Sequence, residues 1–304
     1  MTRGRVLLLA SLLVAGSAGV LTILGTRAGE RPNTLMPTLG GAQFWNDEKL
    51  HGGWRVQRNI LTDHCRLLDA DDVRRAWGEQ SECAQALEAR RTDGQIPDNP
   101  ERLVLLVHGL AGYNWTFRSM KPALDEAGYR AELWNYASTQ GSLKEHVAAF
   151  HEMMNAMEDV EEVTFVAHSL GGLLLRQALA DEEQPWRSRI KAKGLVMIGT
   201  PNQGAALADR FKDDGWFQTA LEGVGQDLTS GYASKIPAPS VPYKLVAGRL
   251  SGEGNPLIPG LDDGMVAVSE VKIQPNDDLL VLHAGHAALT AEQAAISLVI
   301  DFVK

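Results

Sequence analysis

Six stretches of the chain are continuously apolar over the length of a β-strand, and segments with helical patterns separate them. The stretches are RLVLLVHG (102–109), RAELWNY (130–136), EVTFVAHS (162–169), AKGLVMIGTP (192–201), VPYKLVAGR (241–249) and DDLLVLHAG (277–285). Parallel strands that are buried on both faces require continuous rather than alternating apolar runs. The pattern therefore predicts an α/β fold with a mostly parallel, doubly wound sheet and helices on both faces.

Helix signals fill the gaps between these runs. A capping box, Ser142-x-x-Glu145, opens one predicted helix, and Thr290-x-x-Gln293 opens the last. The predicted helices include 142–157, 172–180 and 290–303.

The amino-terminal region contains one uncharged, mostly apolar run, from Val6 to Leu24, which follows Arg3 and Arg5. A helix of this length spans about 28 Å, which is close to the hydrocarbon thickness of a bilayer. The run predicts either an uncleaved membrane anchor or a cleaved signal peptide. Because the arginines precede it, we expect the rest of the chain on the periplasmic side, anchored to the membrane, or exported if the segment is cleaved.

Composition shifts divide the chain into segments. Residues 1–27 form the predicted signal anchor or signal peptide, and residues 28–43 are rich in Gly, Pro and Thr and are typical of a linker. Residues 44–99 are predicted to form an extension on the core, with a strand hairpin and a short helix. The main domain is expected over 100–304, and 205–240 is a possible cap or lid. Cys65 and Cys83 either form a disulfide, worth about 3 kcal/mol, or are two buried free thiols.

Composition and missing motifs exclude several classes of function. The formal net charge is -9, and no basic stripe is available to neutralise phosphates, so we expect no nucleic-acid partner. The motifs G-x-x-x-x-G-K-[ST] and H-E-x-x-H do not occur, nor does G-x-G-x-x-G after the first strand. We therefore predict no cofactor and no metal, and the oligomeric state is not determined by the sequence.

Residues with hydrolytic chemistry follow the predicted strands. In a doubly wound sheet, ligands bind outside the carboxyl ends of the strands. Ser169 ends the third run, Asp262 and Asp263 lie in the loop after the fifth, and His286 follows the sixth. A serine, an acid and a histidine are the groups that nucleophilic catalysis needs, although small residues around Ser169 also suit an ordinary strand-to-helix turn.

Four motifs at these positions give the chain a family resemblance. The segment Ala167-His168-Ser169-Leu170-Gly171 resembles the G-x-S-x-G nucleophile elbow of the α/β-hydrolase superfamily, with alanine in place of the first glycine. The chain is similar to bacterial lipases in its other motifs, and WNYASTQGSLKEH is similar to GPI inositol-deacylase-type proteins. The other motifs are His108-Gly109, Gly199-Thr200-Pro201-Asn202-Gln203-Gly204 and Asp263-Gly264-Met265-Val266. The resemblance covers residues 100–304 and implies the α/β-hydrolase fold.

The resemblance also implies roles for individual residues. Ser169 would be the nucleophile, His286 its base, and Asp263, rather than Asp262, the orienting acid. The backbone N–H groups of Leu110 and Leu170 would form the oxyanion hole.

Other residues near these motifs receive lesser roles. His108 is expected to brace the oxyanion loop, His168 to pack at the elbow, and His283 to be structural within the last strand. Aromatic residues after the oxyanion loop either line a substrate pocket or pack on the domain. These residues are Tyr113, Trp115 and Phe117.

Together these features predict a serine hydrolase, membrane-tethered or exported, that cleaves carboxylic esters of lipid-like character through an acyl-enzyme on Ser169. One alternative is an acyltransferase that uses the same triad. The other is a non-catalytic binding protein with a hydrolase fold, against which the intact Ser, Asp and His set argues.

Overall fold

The computed structural model describes residues 43–221, 223–252 and 254–304. The predicted apolar segment at 6–24 and the predicted linker up to residue 42 lie outside these residues. Among the described residues, none of the helices combines the length and the apolar character needed to cross a bilayer.

A small antiparallel sheet precedes the main domain, and we call residues 43–92 the N-terminal module. Its strands pair in the order β1-β2-β3-β4, and helix α1 follows them. The hairpin expected from the sequence is β2 with β3, and two further strands flank it. The elements are β1 Trp45–His51, β2 Trp54–Asn59, β3 Cys65–Leu68, β4 Arg74–Gly78 and α1 Gln80–Thr92.

The main domain contains all six predicted strands in one parallel sheet. The strands are β5 Arg102–Val107, β6 Arg130–Trp134, β7 Glu162–His168, β8 Lys191–Ile198, β9 Tyr243–Gly248 and β10 Leu279–Leu282. They lie in the order β10-β9-β8-β7-β5-β6, and every neighbouring pair is parallel. The chain reverses its direction of travel across the sheet between β6 and β7, so β5 and β7 flank the crevice where ligands bind in such sheets.

Helices cover this sheet. They are α2 Met120–Glu126, α3 Leu143–Asn155, α4 Leu170–Ala180, α5 Ala206–Phe211, α6 Gly215–Ala220, α7 Val224–Asp227, α8 Ser230–Ala233, α9 Val268–Val271 and α10 Gln293–Val303. Short 3-10 turns occur at Asn114–Phe117, Pro185–Ser188 and His286–Ala291.

Two apolar layers, one on each face, explain why the strands are continuously apolar. In β5, Leu103, Leu105 and Val107 point into one buried cluster, while Val104 and Leu106 point into the other. Side chains alternate between the faces of a strand, so both alternating sets must be apolar when helices cover both faces. The predicted doubly wound α/β architecture is confirmed.

The predicted helix starts are partly right. Ser142 caps α3, because its backbone N–H donates to the Glu145 carboxylate at 2.7 Å and its Oγ accepts from Glu145 N at 3.4 Å. Thr290 does not open the last helix, which begins at Gln293. The Thr290 hydroxyl instead donates to the Thr116 carbonyl at 2.7 Å, and the N-cap residue of the last helix is Glu292.

The two cysteines are free thiols in the structure, and both are fully buried between the N-terminal sheet and α1. Burial raises the pKa of Cys65 and of Cys83 to about 12. Of the two alternatives, the structure therefore has the buried free thiols.

Candidate active site

The turn from β7 into α4 holds Ser169 in an unusual backbone conformation. Ser169 has φ 53° and ψ -125°, a left-handed φ that L side chains adopt at a cost of about 1–3 kcal/mol. Its N–H is fixed by a hydrogen bond to the Ile198 carbonyl at 2.9 Å. The turn needs small neighbours, because a Cβ on Gly171 would lie 2.6 Å from the His108 carbonyl oxygen. Such a turn presents the serine hydroxyl at the carboxyl edge of the sheet.

Three predicted residues meet at this edge. His286 Nε2 lies 3.0 Å from Ser169 Oγ, and His286 Nδ1 lies 2.8 Å from Asp263 Oδ2. The other oxygen of the Asp263 carboxylate accepts the backbone N–H groups of Met265 and Val266 at 3.0 and 2.8 Å. A carboxylate can only accept, so Nδ1 carries the proton and the Nε2 lone pair faces the serine.

Asp262, the neighbouring acid, has a different task. Its carboxylate accepts backbone N–H groups from Asn255 at 3.0 Å and from Gly264 at 2.8 Å. It therefore closes the loop after β9 on itself and does not face the imidazole.

The turn after β5 lies directly against the serine. It covers residues 109–112, and we call it the oxyanion turn. A Cβ on Gly109 would stand 2.7 Å from Ser169 Cβ, so only glycine allows this approach. The Gly109 carbonyl accepts from His108 Nδ1 at 2.8 Å and from Gly112 N at 3.0 Å. Since a trans peptide is planar, fixing this carbonyl points the N–H of Leu110 in the opposite direction.

Leu170 supplies the second predicted donor. It is the first residue of α4, so its N–H has no carbonyl partner within the helix. The Leu110 and Leu170 amides therefore belong to the two turns that meet at Ser169. This is the position at which the sequence predicts the oxyanion hole.

The family whose description is alpha/beta hydrolase fold matches residues 102–264, which is more than half of the chain. The chain belongs to the α/β hydrolase fold family. It is 30% identical over 141 residues to salicylic acid-binding protein 2 of Nicotiana tabacum, covering 41% of this chain and 54% of that protein. It is 26% identical over 140 residues to methylesterase 2 of Arabidopsis thaliana, covering 40% of this chain and 52% of that protein. The alignments thus span about half the length of these relatives.

Solved structures share the α/β hydrolase fold at low identity. The mature form of Bacillus licheniformis lipase BlEst2 gives a TM-score of 0.55 at 18% identity, over 68% of this chain and 94% of that one. Phospholipase PlaB of Legionella pneumophila, in complex with thio-NAD, gives 0.52 at 13% identity, over 67% and 58%. At these identities the likeness concerns the fold. The chain is an α/β hydrolase whose relatives and structural neighbours include proteins named as esterases and lipases.

Two further histidines of this α/β hydrolase pack around the site in neutral form. Burial lowers the pKa of His168 to about 3, and its Nε2 donates to the His286 carbonyl at 3.0 Å. It therefore supports the backbone of His286 as well as the elbow. Burial lowers the pKa of His108 to about 4, and its Nε2 accepts the Tyr136 N–H at 3.4 Å, which leaves Nδ1 as the donor to Gly109.

His283 is not where the sequence placed it. Strand β10 ends at Leu282, so His283 follows the strand instead of lying in it. Its exposed ring contacts the Arg249 guanidinium and does not reach Ser169.

The three aromatic residues after the oxyanion turn have different environments. Phe117 is fully buried in one cluster with Met120 and Leu124, so of the two alternatives it packs on the domain. Trp115 is exposed, with the Arg118 guanidinium 3.4 Å above its ring, and Tyr113 is half-buried. Only Tyr113 and Trp115 therefore stay candidates for substrate contact.

The segment 205–240, predicted as a possible cap, folds into α5 to α8, each of six residues or fewer. Its apolar residues Phe217, Val224 and Ala233 are buried in the cluster on one face of the sheet. Trp216 is exposed.

Tyr136 was missed as a contributor to the site. Its hydroxyl donates to the His108 carbonyl at 2.9 Å, and its ring stacks on the His108 ring with centroids 4.6 Å apart. The signal was its place two residues after the end of β6, the strand that pairs with β5. Tyr136 thereby contacts both the backbone carbonyl and the ring of His108.

Proposed function

We propose that this α/β hydrolase is a serine esterase that cleaves carboxylic esters through an acyl-enzyme on Ser169. The observation that supports it is the 3.0 Å contact between Ser169 Oγ and His286 Nε2, with the other imidazole nitrogen held by Asp263. The names of the relatives, which include a methylesterase, agree with this chemistry.

The proposed reaction assigns one step to each group. His286 Nε2 takes the proton of Ser169 as Oγ attacks the ester carbonyl carbon, and Asp263 stabilises the imidazolium. The N–H groups of Leu110 and Leu170 donate to the oxyanion of the tetrahedral intermediate. His286 then gives the proton to the leaving alcohol, and water repeats the sequence to release the acid.

We further propose that the substrate is lipid-like. The loop that carries Asp263 exposes four apolar side chains to solvent, and grouped exposed apolar residues are typical of sites that bind apolar partners. The Leu250 side chain lies against Gly264 and Gly285, next to the acid and the base. The four residues are Leu250, Leu257, Leu261 and Met265.

A fluorophosphonate probe tests the proposed nucleophile. The parent protein and the control Ser188→Ala, an exposed serine in the Pro185–Ser188 turn, should label, and Ser169→Ala should not. Equal labelling of Ser169→Ala would refute the assignment. A panel of acetyl to long-chain esters then tests the substrate class, and addition of a short alcohol shows whether acyl transfer competes with hydrolysis.

We also propose that the hydrolase domain resides on the outer side of the cytoplasmic membrane. The arginines before the apolar run at 6–24 support this orientation. Protease digestion of spheroplasts should remove the domain, whereas protection equal to that of a cytoplasmic protein would contradict the proposal.

A further inference from the structure

The turn that carries the Leu110 N–H is not a relaxed one. Ala111 has φ 55°, a left-handed conformation that is unfavourable for a residue with a Cβ. Within the turn, one hydrogen bond closes it, from Gly112 N to the Gly109 carbonyl at 3.0 Å. A turn with an unfavourable central residue keeps its shape only if surrounding contacts hold it.

The N-terminal module supplies such a contact through Gln43. The side-chain amide of Gln43 donates to the Gly112 carbonyl at 2.8 Å. The amide oxygen of the same side chain accepts the Thr139 N–H at 3.1 Å and the Ser138 hydroxyl at 3.2 Å. One glutamine thus links the oxyanion turn to the segment that follows β6, and it uses both ends of its amide.

A second set of contacts holds Asn114, two residues after the turn. Asn114 donates to the Asp72 carboxylate at 2.9 Å, and its side-chain oxygen accepts from Arg55 at 3.3 Å and from Asn135 at 2.5 Å. Arg55 and Asp72 belong to the N-terminal module, and Arg55 is buried beside Asp47. The module therefore holds the chain on both sides of Tyr113, at Gly112 and at Asn114.

We propose that the N-terminal module is a positioning element for the oxyanion hole, with Gln43 as its principal positioning residue. The inference rests on the proposed ester hydrolysis, because the Leu110 N–H matters only if an oxyanion forms at Ser169. Gln43 holds the Gly112 carbonyl and so restricts the turn that carries the Leu110 N–H and that lies against Ser169. The donor is then in place before the substrate arrives.

The test compares three variants of the full chain on a soluble short-chain p-nitrophenyl ester. Gln43→Ala removes both contacts of the side chain. Gln43→Glu keeps the length and an acceptor for Thr139, but it replaces the N–H donor that faces Gly112. Asn46→Ala is the matched control, because this half-buried residue of the same module accepts the Ala137 N–H at 2.8 Å and does not contact the turn. Active-site titration gives the concentration of competent enzyme, so a partly unfolded preparation does not count as a slow one.

We expect kcat to fall about 10-fold in Gln43→Ala and at least as much in Gln43→Glu, with KM within about 2-fold of the parent. The loss is smaller than the ~10²- to 10³-fold that removal of an oxyanion donor causes, because the donor is displaced and not deleted. The second-order rate of fluorophosphonate labelling should fall in parallel, since the phosphonyl oxygen occupies the same hole. Asn46→Ala should keep the parental kcat.

Two results would overturn the inference alone. One is a Gln43→Ala enzyme whose kcat equals that of Asn46→Ala, and the other is a Gln43→Glu enzyme with parental kcat, which would assign the effect to Thr139. Ser169→Ala, run in parallel, separates these from failure of the proposed function. If Ser169→Ala retains parental activity, both the function and the inference are wrong.

Discussion

Asp263 binds His286 through one carboxylate oxygen at 2.8 Å, while backbone N–H groups of its own loop occupy the other oxygen. The carboxylate cannot rotate without breaking these backbone contacts. Its direction, and with it the tautomer of the imidazole, is thus fixed by the fold of the loop after β9.

Replacing Asp263 by asparagine should reduce kcat by about 10³- to 10⁴-fold and leave the fold intact. The amide can present its NH2 to Nδ1, which favours the tautomer whose proton faces the serine. Steady-state kinetics on a soluble ester, with circular dichroism to check the fold, measure this. The matched variant Asp262→Asn removes contacts from the same loop, and its kcat should stay within about 10-fold of the parent. A larger loss in Asp262→Asn than in Asp263→Asn would reverse the assignment of the acid.

Gly109→Ala should cost about 10²-fold in kcat/KM. The new Cβ would stand 2.7 Å from Ser169 Cβ, so the oxyanion turn or the serine has to move by a fraction of an ångström or more. Gly215→Ala is the control, because a Cβ there meets nothing within 4 Å. The kinetic constants of the two variants decide the point, and equal activity in both would show that the close approach is not needed.

Acid should destabilise the protein through three buried histidines. Burial lowers the pKa of His108 and of His146 to about 4 and that of His168 to about 3, from 6.5. The unfolded chain therefore binds more protons below pH 6.5, and stability that is present above this pH is lost as the pH falls. Each histidine should cost about 2 kcal/mol by pH 5. Asp47 acts in the opposite direction, because burial raises its pKa to about 6, which returns about 1 kcal/mol.

Chemical denaturation at pH 7 and at pH 5 measures this difference. We expect the free energy of unfolding to be several kcal/mol lower at pH 5. Equal values at the two pH values would contradict a net loss of stability in acid.

The apolar residues of the Asp263 loop should matter for aggregated but not for soluble substrates. Leu261 and Met265 are 53% and 45% exposed, so serine at either position removes apolar surface without leaving a cavity. Leu261→Ser and Met265→Ser should lower the rate on emulsified long-chain esters several-fold and leave the rate on a short soluble ester unchanged. Leu61→Ser, at a site in the N-terminal module that is 58% exposed, is the control. If Leu61→Ser lowers the rate on emulsified esters equally, the apolar residues of the Asp263 loop have no specific role in substrate binding.

Strands β5 to β9 could be predicted because their burial leaves a direct mark on the sequence, whereas β10 is an edge strand that is only partly buried. The positions of Ser169, Asp263 and His286 followed from the strand ends and from the motif order, since the carboxyl ends of parallel strands share one edge. The three residues do converge there, within hydrogen-bond distance of one another in series. Local sequence thus specified which residues approach this edge.

Features that depend on distant contacts were harder to predict. Phe117 follows the oxyanion turn in sequence, but its 3-10 turn directs the ring into the core. Thr290 has the sequence pattern of an N-cap, yet its hydroxyl donates to the Thr116 carbonyl and the helix begins at Gln293. The contacts of Gln43 have no local sequence signal, because its partners lie 69 and 96 residues away in the chain.

The left-handed backbone at Ser169 separates two demands on the same position. Glycine adopts φ 53° without steric cost, so folding alone would favour glycine at the head of α4. The chain instead carries a side chain there, at a cost in the stability of the folded state. A Ser169→Gly variant should resist unfolding better than the parent and should be catalytically inactive. Stability and activity therefore oppose each other at this turn.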